Sequence, residues 1–379
     1  MKPGEIVPLR EPDPAVLPAR IAEVRASGAV PLVGDDRWPE AHWQEVVRSA
    51  EAAGPHPGIG WATLTSGSTG RPRVVLRRAE SWQASFAAVE ELLGAHPGDR
   101  MALPAPPASS LSLFSVAHAL AGGPAVVLGR GHALVASEFA GATLFHGTPY
   151  AFRRLLDEGA PVALRAALIG GSSLDPALRI RAEAAGIRVV SYYGAAELSF
   201  VAADTGAGLR PFPGVHVELH DGEIRVRSPY VSAGYLDGAP GPLRSSGGWH
   251  TVGDRGEWAD GALRILGRSD DAILTASATV IPGEVEEALR GLPGVADAVV
   301  LGLPHAGIGS LVAAVIEPAA DAPAPTARGL TSAASAVLST SHRPRRWFAA
   351  RLPRTATGKP ARAELLRRIQ SGEVSALVR

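Results

Sequence analysis

Lysine occurs twice in this chain, at Lys2 and Lys359, and arginine supplies the rest of the 37 basic residues. The two cations are not interchangeable. Guanidinium is a rigid fork for planar partners, whereas ammonium is a compact point charge on a flexible stem. An internal lysine kept in an arginine background raises the question of what only a compact ammonium can do there. A second chemical signal is the run Thr65-Ser66-Gly67-Ser68-Thr69-Gly70-Arg71-Pro72-Arg73. Its glycines let the backbone approach an anion, its hydroxyls and N–H groups donate, and Arg73 adds charge. That combination suits phosphate. The run is not a Walker loop, because G-x-x-x-x-G-K-[ST] is absent. A Ser/Thr/Gly run taken alone is more often a plain surface loop, but the apolar Trp61-Ala-Thr-Leu directly before it reads as a buried strand that would aim it.

The elements that must hold these residues alternate along the chain. One helical stretch near Pro39–Ala53 interrupts a Pro- and Ala-rich start. Strand-like runs follow at Ala125–Leu128, Ala142–Phe145, Ala166–Ile169 and Arg188–Ser191, and helix-like runs at Arg78–Leu93, Pro149–Asp157 and Pro176–Ala185. Strands separated by helix-length segments predict parallel βαβ units. Near residue 210 the pattern changes: Val215–Leu219 and Glu223–Ser228 alternate around Asp221-Gly222, a hairpin signal, with short strands at Gly256–Trp258 and Leu263–Leu266. Beyond residue 267 a helix at Pro282–Arg290, a strand at Ala296–Leu303, a loop over Glu317–Arg328 and helices at Leu330–Leu338 and Ala361–Gln370 predict a small α+β unit. The expected fold is α/β: a large N-terminal domain over 1–267, with parallel βαβ sheet layers and a small antiparallel barrel-like section, then a small mobile α+β domain over 268–379.

Composition narrows the function. Acidic and basic residues balance at 37 each, so nothing suggests a nucleic-acid partner. The absence of cysteine excludes disulfides and thiolate catalysis by the protein. No run reaches the roughly 20 apolar residues of a membrane helix, and the first residues lack the apolar core of a secretory signal. A cytoplasmic enzyme is the expectation.

Further segments complete a pattern. They are Ile169-Gly170-Gly171-Ser172-Ser173-Leu174, Tyr193-Gly194-Ala195-Ala196-Glu197, Gly222-Glu223-Ile224-Arg225-Val226 through Gly234-Tyr235, Trp249-His250-Thr251-Val252-Gly253-Asp254, Gly267-Arg268-Ser269-Asp270-Asp271, and Pro353-Arg354-Thr355-Ala356-Thr357-Gly358-Lys359. With the phosphate loop they resemble, in order, seven motifs of the adenylate-forming superfamily, which includes acyl- and aryl-CoA synthetases, peptide-synthetase adenylation domains and luciferases. The resemblance implies ATP, Mg²⁺ and coenzyme A as cofactors and a carboxylic acid as substrate. It implies that Lys359 bridges the acid's carboxylate and the α-phosphate, where charge builds on oxygen in the transition state. Glu197 would hold Mg²⁺, and Thr65, Ser66, Gly67, Ser68, Thr69, Gly70 and Arg73 would cradle phosphate. Gly170, Gly171, Ser172, Tyr193 and Gly194 would line adenine, Asp254 would meet the ribose, Arg268 would reach the nucleotide, and Asp270 would be the hinge. Plainer readings stand beside these: surface lysine, loop glutamate, ion pairs, a simple glycine turn.

Several positions depart from the family. Arg73 stands where lysine is usual, Ala196 replaces a threonine, and Leu274 and Ser277 replace residues of the thiol channel. The segment before the phosphate loop is also short, as in compact o-succinylbenzoate-CoA ligases. The expected activity is an AMP-forming acid–thiol ligase using CoA. Loading of a carrier-protein phosphopantetheine, an o-succinylbenzoate-CoA ligase and a catalytically weakened nucleotide- or acyl-binding protein are the alternatives. Ser109–Phe114, His146–Pro149 and Gly170–Leu174 are expected to build the acid pocket, with His118 and His146 as structural histidines.

Overall fold

The structure is a computed structural model that describes residues 1–35, 40–65, 73–130, 134–268, 273–275, 278–305, 309–320, 322–355 and 358–377. Ser66–Gly70 of the phosphate loop, Asp270 and Ser277 lie outside the described residues, as do the side chains of Arg268 and Leu274.

A seven-stranded sheet forms the centre. Ala125–Leu128, Arg100–Leu103, Leu144–Gly147, Ala166–Ile169 and Arg188–Ala195 run parallel, in the spatial order 125, 100, 144, 166, 188. Ser199–Asp204 and Arg210–Pro211 extend it antiparallel. These parallel strands are nearly continuous apolar runs because both faces are covered. Alternate residues serve different cores. Met101, Leu103, Leu144, Leu168 and Val190 pack with helices Ala79–Leu93 and Ser110–Leu120. Ala102, Phe145, Ala167, Ile169 and Val189 pack with Pro149–Glu158 and Pro176–Ala184.

A second, five-stranded sheet places Ile6–Leu9, Val30–Val33, Trp61–Thr65, Arg73–Arg77 and Gly234–Tyr235 in that order, the first three parallel and the last two antiparallel to their neighbours. Its first two strands and helix Leu17–Ala26 form a βαβ unit that the Pro-rich sequence did not suggest. Third comes a six-stranded antiparallel sheet built on the hairpin His216–His220/Glu223–Arg227. Asp221 (φ 52°) and Gly222 (φ 77°) both take left-handed backbone at its turn, as a two-residue type I′ connection requires.

From Ile273 onward the packing is separate. Val295–His305, Gly309–Pro318 and Arg346–Ala349 form a three-stranded sheet. Val300, Val312 and Ala314 point to one cluster, and Val299, Ala313 and Val315 to another. Neither cluster shares a residue with those of the larger part. The loop expected over Glu317–Arg328 is shorter than that, because the second strand continues through Pro318 and the next helix starts at Ala327. Among the described residues no helix is long and apolar enough to cross a membrane.

Candidate active site

In open α/β sheets, ligands bind beyond the carboxyl ends of the parallel strands. At that end lie Gly170 and Gly171, just after Ala166–Ile169, and Tyr192 to Gly194, in the last residues of the strand Arg188–Ala195. The two strands are neighbours, with Ile169 paired to Ser191, so Tyr192 meets Gly170. A side chain on Gly170 would stand 2.2 Å from the Tyr192 ring. Gly194 is constrained more rigidly, since a Cβ there would lie 2.0 Å from the Ser199 carbonyl oxygen.

Lys359 is delivered to this edge by the smaller part of the chain. Its segment is a tight turn in which the Thr355 N–H donates to the Lys359 carbonyl (2.7 Å) and Gly358 takes φ 82°. Arg354 anchors the turn. Its guanidinium donates to Asp297 (2.9 Å) and Glu317 (2.6 Å) on the three-stranded sheet and lies 4.9 Å over the Tyr150 ring of the larger part. Burial pushes the Asp297 carboxyl up, but bonds and charge from Arg290 and the charge of Arg354 outweigh it and leave its pKa lowered. Gly358 packs on Tyr150 and Thr148, so close that an added Cβ would sit 2.9 Å from the Tyr150 ring. The Lys359 Cε reaches within 3.4 Å of where a Gly171 side chain would begin. Gly171 has φ +87°, a left-handed backbone that keeps this approach open.

Tyr193 and Asp254 come together, the phenol donating to Asp254 Oδ2 at 2.6 Å. Asp254 in turn pairs across strands with Arg268 in the antiparallel sheet. Thr65 and Arg73 are also cross-strand partners and form the two ends of the phosphate loop. The buried Thr65 hydroxyl has no hydrogen-bond partner among the described residues, and Arg73 Nε donates to the Pro240 carbonyl (3.1 Å). An orphaned hydroxyl beside a cation at a loop mouth suits an anion. Ser172 is exposed at the same strand edge.

Glu197 is buried and accepts from the Tyr235 hydroxyl at 2.9 Å. A carboxylate at this place fits Mg²⁺, which is held by one or two carboxylates together with phosphate oxygens; no cluster of three candidate ligands occurs among the described residues. Beneath Glu197 lies Arg77, at 0% exposure, which the sequence reading did not single out. Its guanidinium donates to the carbonyls of Ala196 (2.6 Å) and Tyr230 and to the Ser81 hydroxyl (3.2 Å), and stacks 5.2 Å over Trp82. Burial lowers its pKa to about 9 against the opposing charge of Glu197. A charged residue at the end of an apolar strand normally reads as surface, so no sequence signal separated it from the other arginines.

A family model of AMP-binding enzymes matches residues 43–236, and one for the C-terminal domain of AMP-binding enzymes matches residues 284–359. The chain belongs to the AMP-binding enzymes of the adenylate-forming superfamily. A probable 2-succinylbenzoate–CoA ligase of Mycobacterium tuberculosis is 32% identical over 327 residues, covering 82% of this chain and 84% of the relative. A 2-succinylbenzoate–CoA ligase of Salmonella typhimurium is 33% identical over 276 residues, which are 69% of this chain and 58% of the relative. Among solved structures, E. coli MenE with bound OSB-AMS superposes with a TM-score of 0.82 at 24% identity, covering 98% of this chain and 89% of that one, and so shares its fold.

Of the segments expected to build the acid pocket, Ser109 and Thr148 cap helices, accepting from the N–H groups of Ser112 (3.2 Å) and Ala151 (3.3 Å). His118 is held by Glu90 (2.8 Å) and stacks on Phe86. His146 is fully buried, and burial, aided by the charge of His118, lowers its pKa to about 3. The folded state therefore holds fewer protons than the unfolded state between about pH 3 and pH 6.5. The stability this gives is complete above pH 6.5 and is lost as pH falls toward 3. Between pH 6.5 and pH 5 the group should cost about 2 kcal/mol. Denaturant unfolding of wild type and His146→Gln at both pH values should show the variant losing less, and equal losses would contradict the assignment.

Proposed function

We propose that this AMP-binding enzyme is an acid–CoA ligase: it activates a carboxylic acid as an acyl-adenylate, releases pyrophosphate, and transfers the acyl group to the thiol of CoA. The observation that carries the reading is the approach of Lys359 to Gly171, at the strand edge shared with Tyr193 and Asp254. An ammonium there offsets the repulsion between an incoming carboxylate and the α-phosphate and neutralises charge as the new P–O bond forms. Thr65 and Arg73 orient the phosphates, Tyr193 and Asp254 hold adenine and ribose, and Glu197 takes Mg²⁺. That ion, when bound, screens the phosphate charge.

The separate cores support a division after residue 267, and the family resemblance puts the hinge at Asp270. On this reading the smaller unit turns after adenylation and admits the thiol. The need for ATP and CoA as co-substrates supports a cytoplasmic location. The names of the relatives favour CoA over a carrier protein as acceptor. A direct comparison checks it: with ATP, Mg²⁺ and an accepted acid, CoA should yield thioester and AMP at least tenfold faster than a phosphopantetheinylated carrier, and the reverse order would move the assignment to carrier loading.

A further inference from the structure

The main chain and the side chain of Glu197 are held by different elements. Arg77 donates to the carbonyls of Ala196 (2.6 Å) and Glu197 (3.4 Å), and the Ser232 N–H donates to the Glu197 carbonyl at 2.7 Å. These bonds fix the backbone and leave the carboxylate free to rotate. Tyr235 stops that rotation, its hydroxyl donating to Oε1 at 2.9 Å.

The direction of this bond follows from what each group can do. An ionised carboxylate only accepts and a backbone N–H only donates. The phenol oxygen therefore accepts from the Leu243 N–H, at 3.1 Å, and its single proton goes to Oε1. The other carboxylate oxygen, Oε2, has no hydrogen-bond partner among the described residues, although Glu197 is only 4% exposed. A buried acceptor left without a partner is costly, and a phosphate-bound Mg²⁺ would supply one.

Tyr235 is itself locked in place. It pairs with Val75 on the strand that begins at Arg73. Its ring lies on Gly241, where an added Cβ would stand 2.2 Å from it. The segment from Pro240 to Leu243 is held at both ends, at the Pro240 carbonyl by Arg73 Nε (3.1 Å) and at the Leu243 N–H by the phenol. One short segment thus ties the cation at the phosphate-loop end to the carboxylate of Glu197. Groups that orient a metal ligand in this way set its affinity for the ion.

We propose that Tyr235 is a positioning residue: by holding Oε1 it presents Oε2 of Glu197 to the cation that accompanies the nucleotide phosphates. This role rests on Glu197 being the Mg²⁺ carboxylate of the adenylation reading.

The test uses Mn²⁺ as the probe. Free Mn²⁺ is read by electron paramagnetic resonance, with protein in excess over a non-hydrolysable ATP analogue so that all nucleotide is bound. Tyr235→Phe keeps the ring and removes the proton, and it should weaken Mn²⁺ binding by about tenfold. Glu197→Gln should weaken it at least as much. The double variant should bind no more weakly than Glu197→Gln alone, because Tyr235 acts through that carboxylate. In pyrophosphate–ATP exchange, Tyr235→Phe should raise the Mg²⁺ concentration needed for half-maximal rate by a similar factor and leave the KM for the acid unchanged. Unchanged Mn²⁺ affinity in Tyr235→Phe, beside a loss in Glu197→Gln, overturns the proposal and leaves the adenylation reading standing. Losses that multiply in the double variant overturn it too, since Tyr235 would then act through the Leu243 segment alone. Unchanged affinity in Glu197→Gln would bring down the assignment of Glu197 itself, and the role of Tyr235 with it.

Discussion

Lys359→Ala should slow acyl-adenylate formation by about a hundred- to a thousandfold, the scale expected for removing one electrostatic contact to a transition state. The loss should fall on one half-reaction. Formation of the adenylate brings two anions together, so it needs the ammonium that the turn anchored by Arg354 carries to Gly171. Attack of a thiol on a mixed anhydride already made has no such pair to bridge. Supplied with synthetic acyl-adenylate and CoA, the variant should therefore form thioester within a few-fold of the wild-type rate. Equal loss in both half-reactions would mean that Lys359 supports the fold or the thiol step and does not act in adenylation.

Arg77→Met should cost the protein on the order of 3–5 kcal/mol in denaturant unfolding. The side chain is fully buried, and its donors satisfy the Ala196 and Tyr230 carbonyls. Removing it leaves those acceptors without partners and Glu197 without its nearby opposite charge. Arg77→Lys keeps the charge but cannot span three acceptors in one plane, so it should recover part of the stability and little of the activity. Restoration of both by lysine would show that charge alone matters at this position. Arg77 holds the Glu197 loop through the main-chain carbonyls of Ala196 and Glu197, bonds that do not depend on the side chain at position 196.

Much of this architecture is legible in the sequence where one signal acts alone. The helix Pro282–Arg290 begins with proline in its first turn and ends before Gly291, and its limits match. The hairpin at Asp221-Gly222 needs two left-handed residues and has them. The early strands Ile6–Leu9 and Val30–Val33 escaped notice because each is four residues long and contains proline, which normally marks a loop or an edge. The site divides in the same way. Lys359 stands out in an arginine-rich chain, and Glu197 and Asp254 lie in motifs with a fixed order. The hydrogen bonds of His146 to Ser115 and to Tyr192 are not legible in this way, since they join residues 31 and 46 positions apart through elements whose register only the folded sheet sets.

The most direct test of the central claim is acid-dependent exchange of labelled pyrophosphate into ATP by the wild-type protein, with Mg²⁺ present and thiol absent. The account predicts exchange that requires an acid and proceeds without CoA, and acyl-AMP that builds up when pyrophosphatase is added and gives thioester and AMP once CoA is supplied. Tight ATP binding with no exchange for any acid, or release of ADP and phosphate in place of AMP and pyrophosphate, would contradict it.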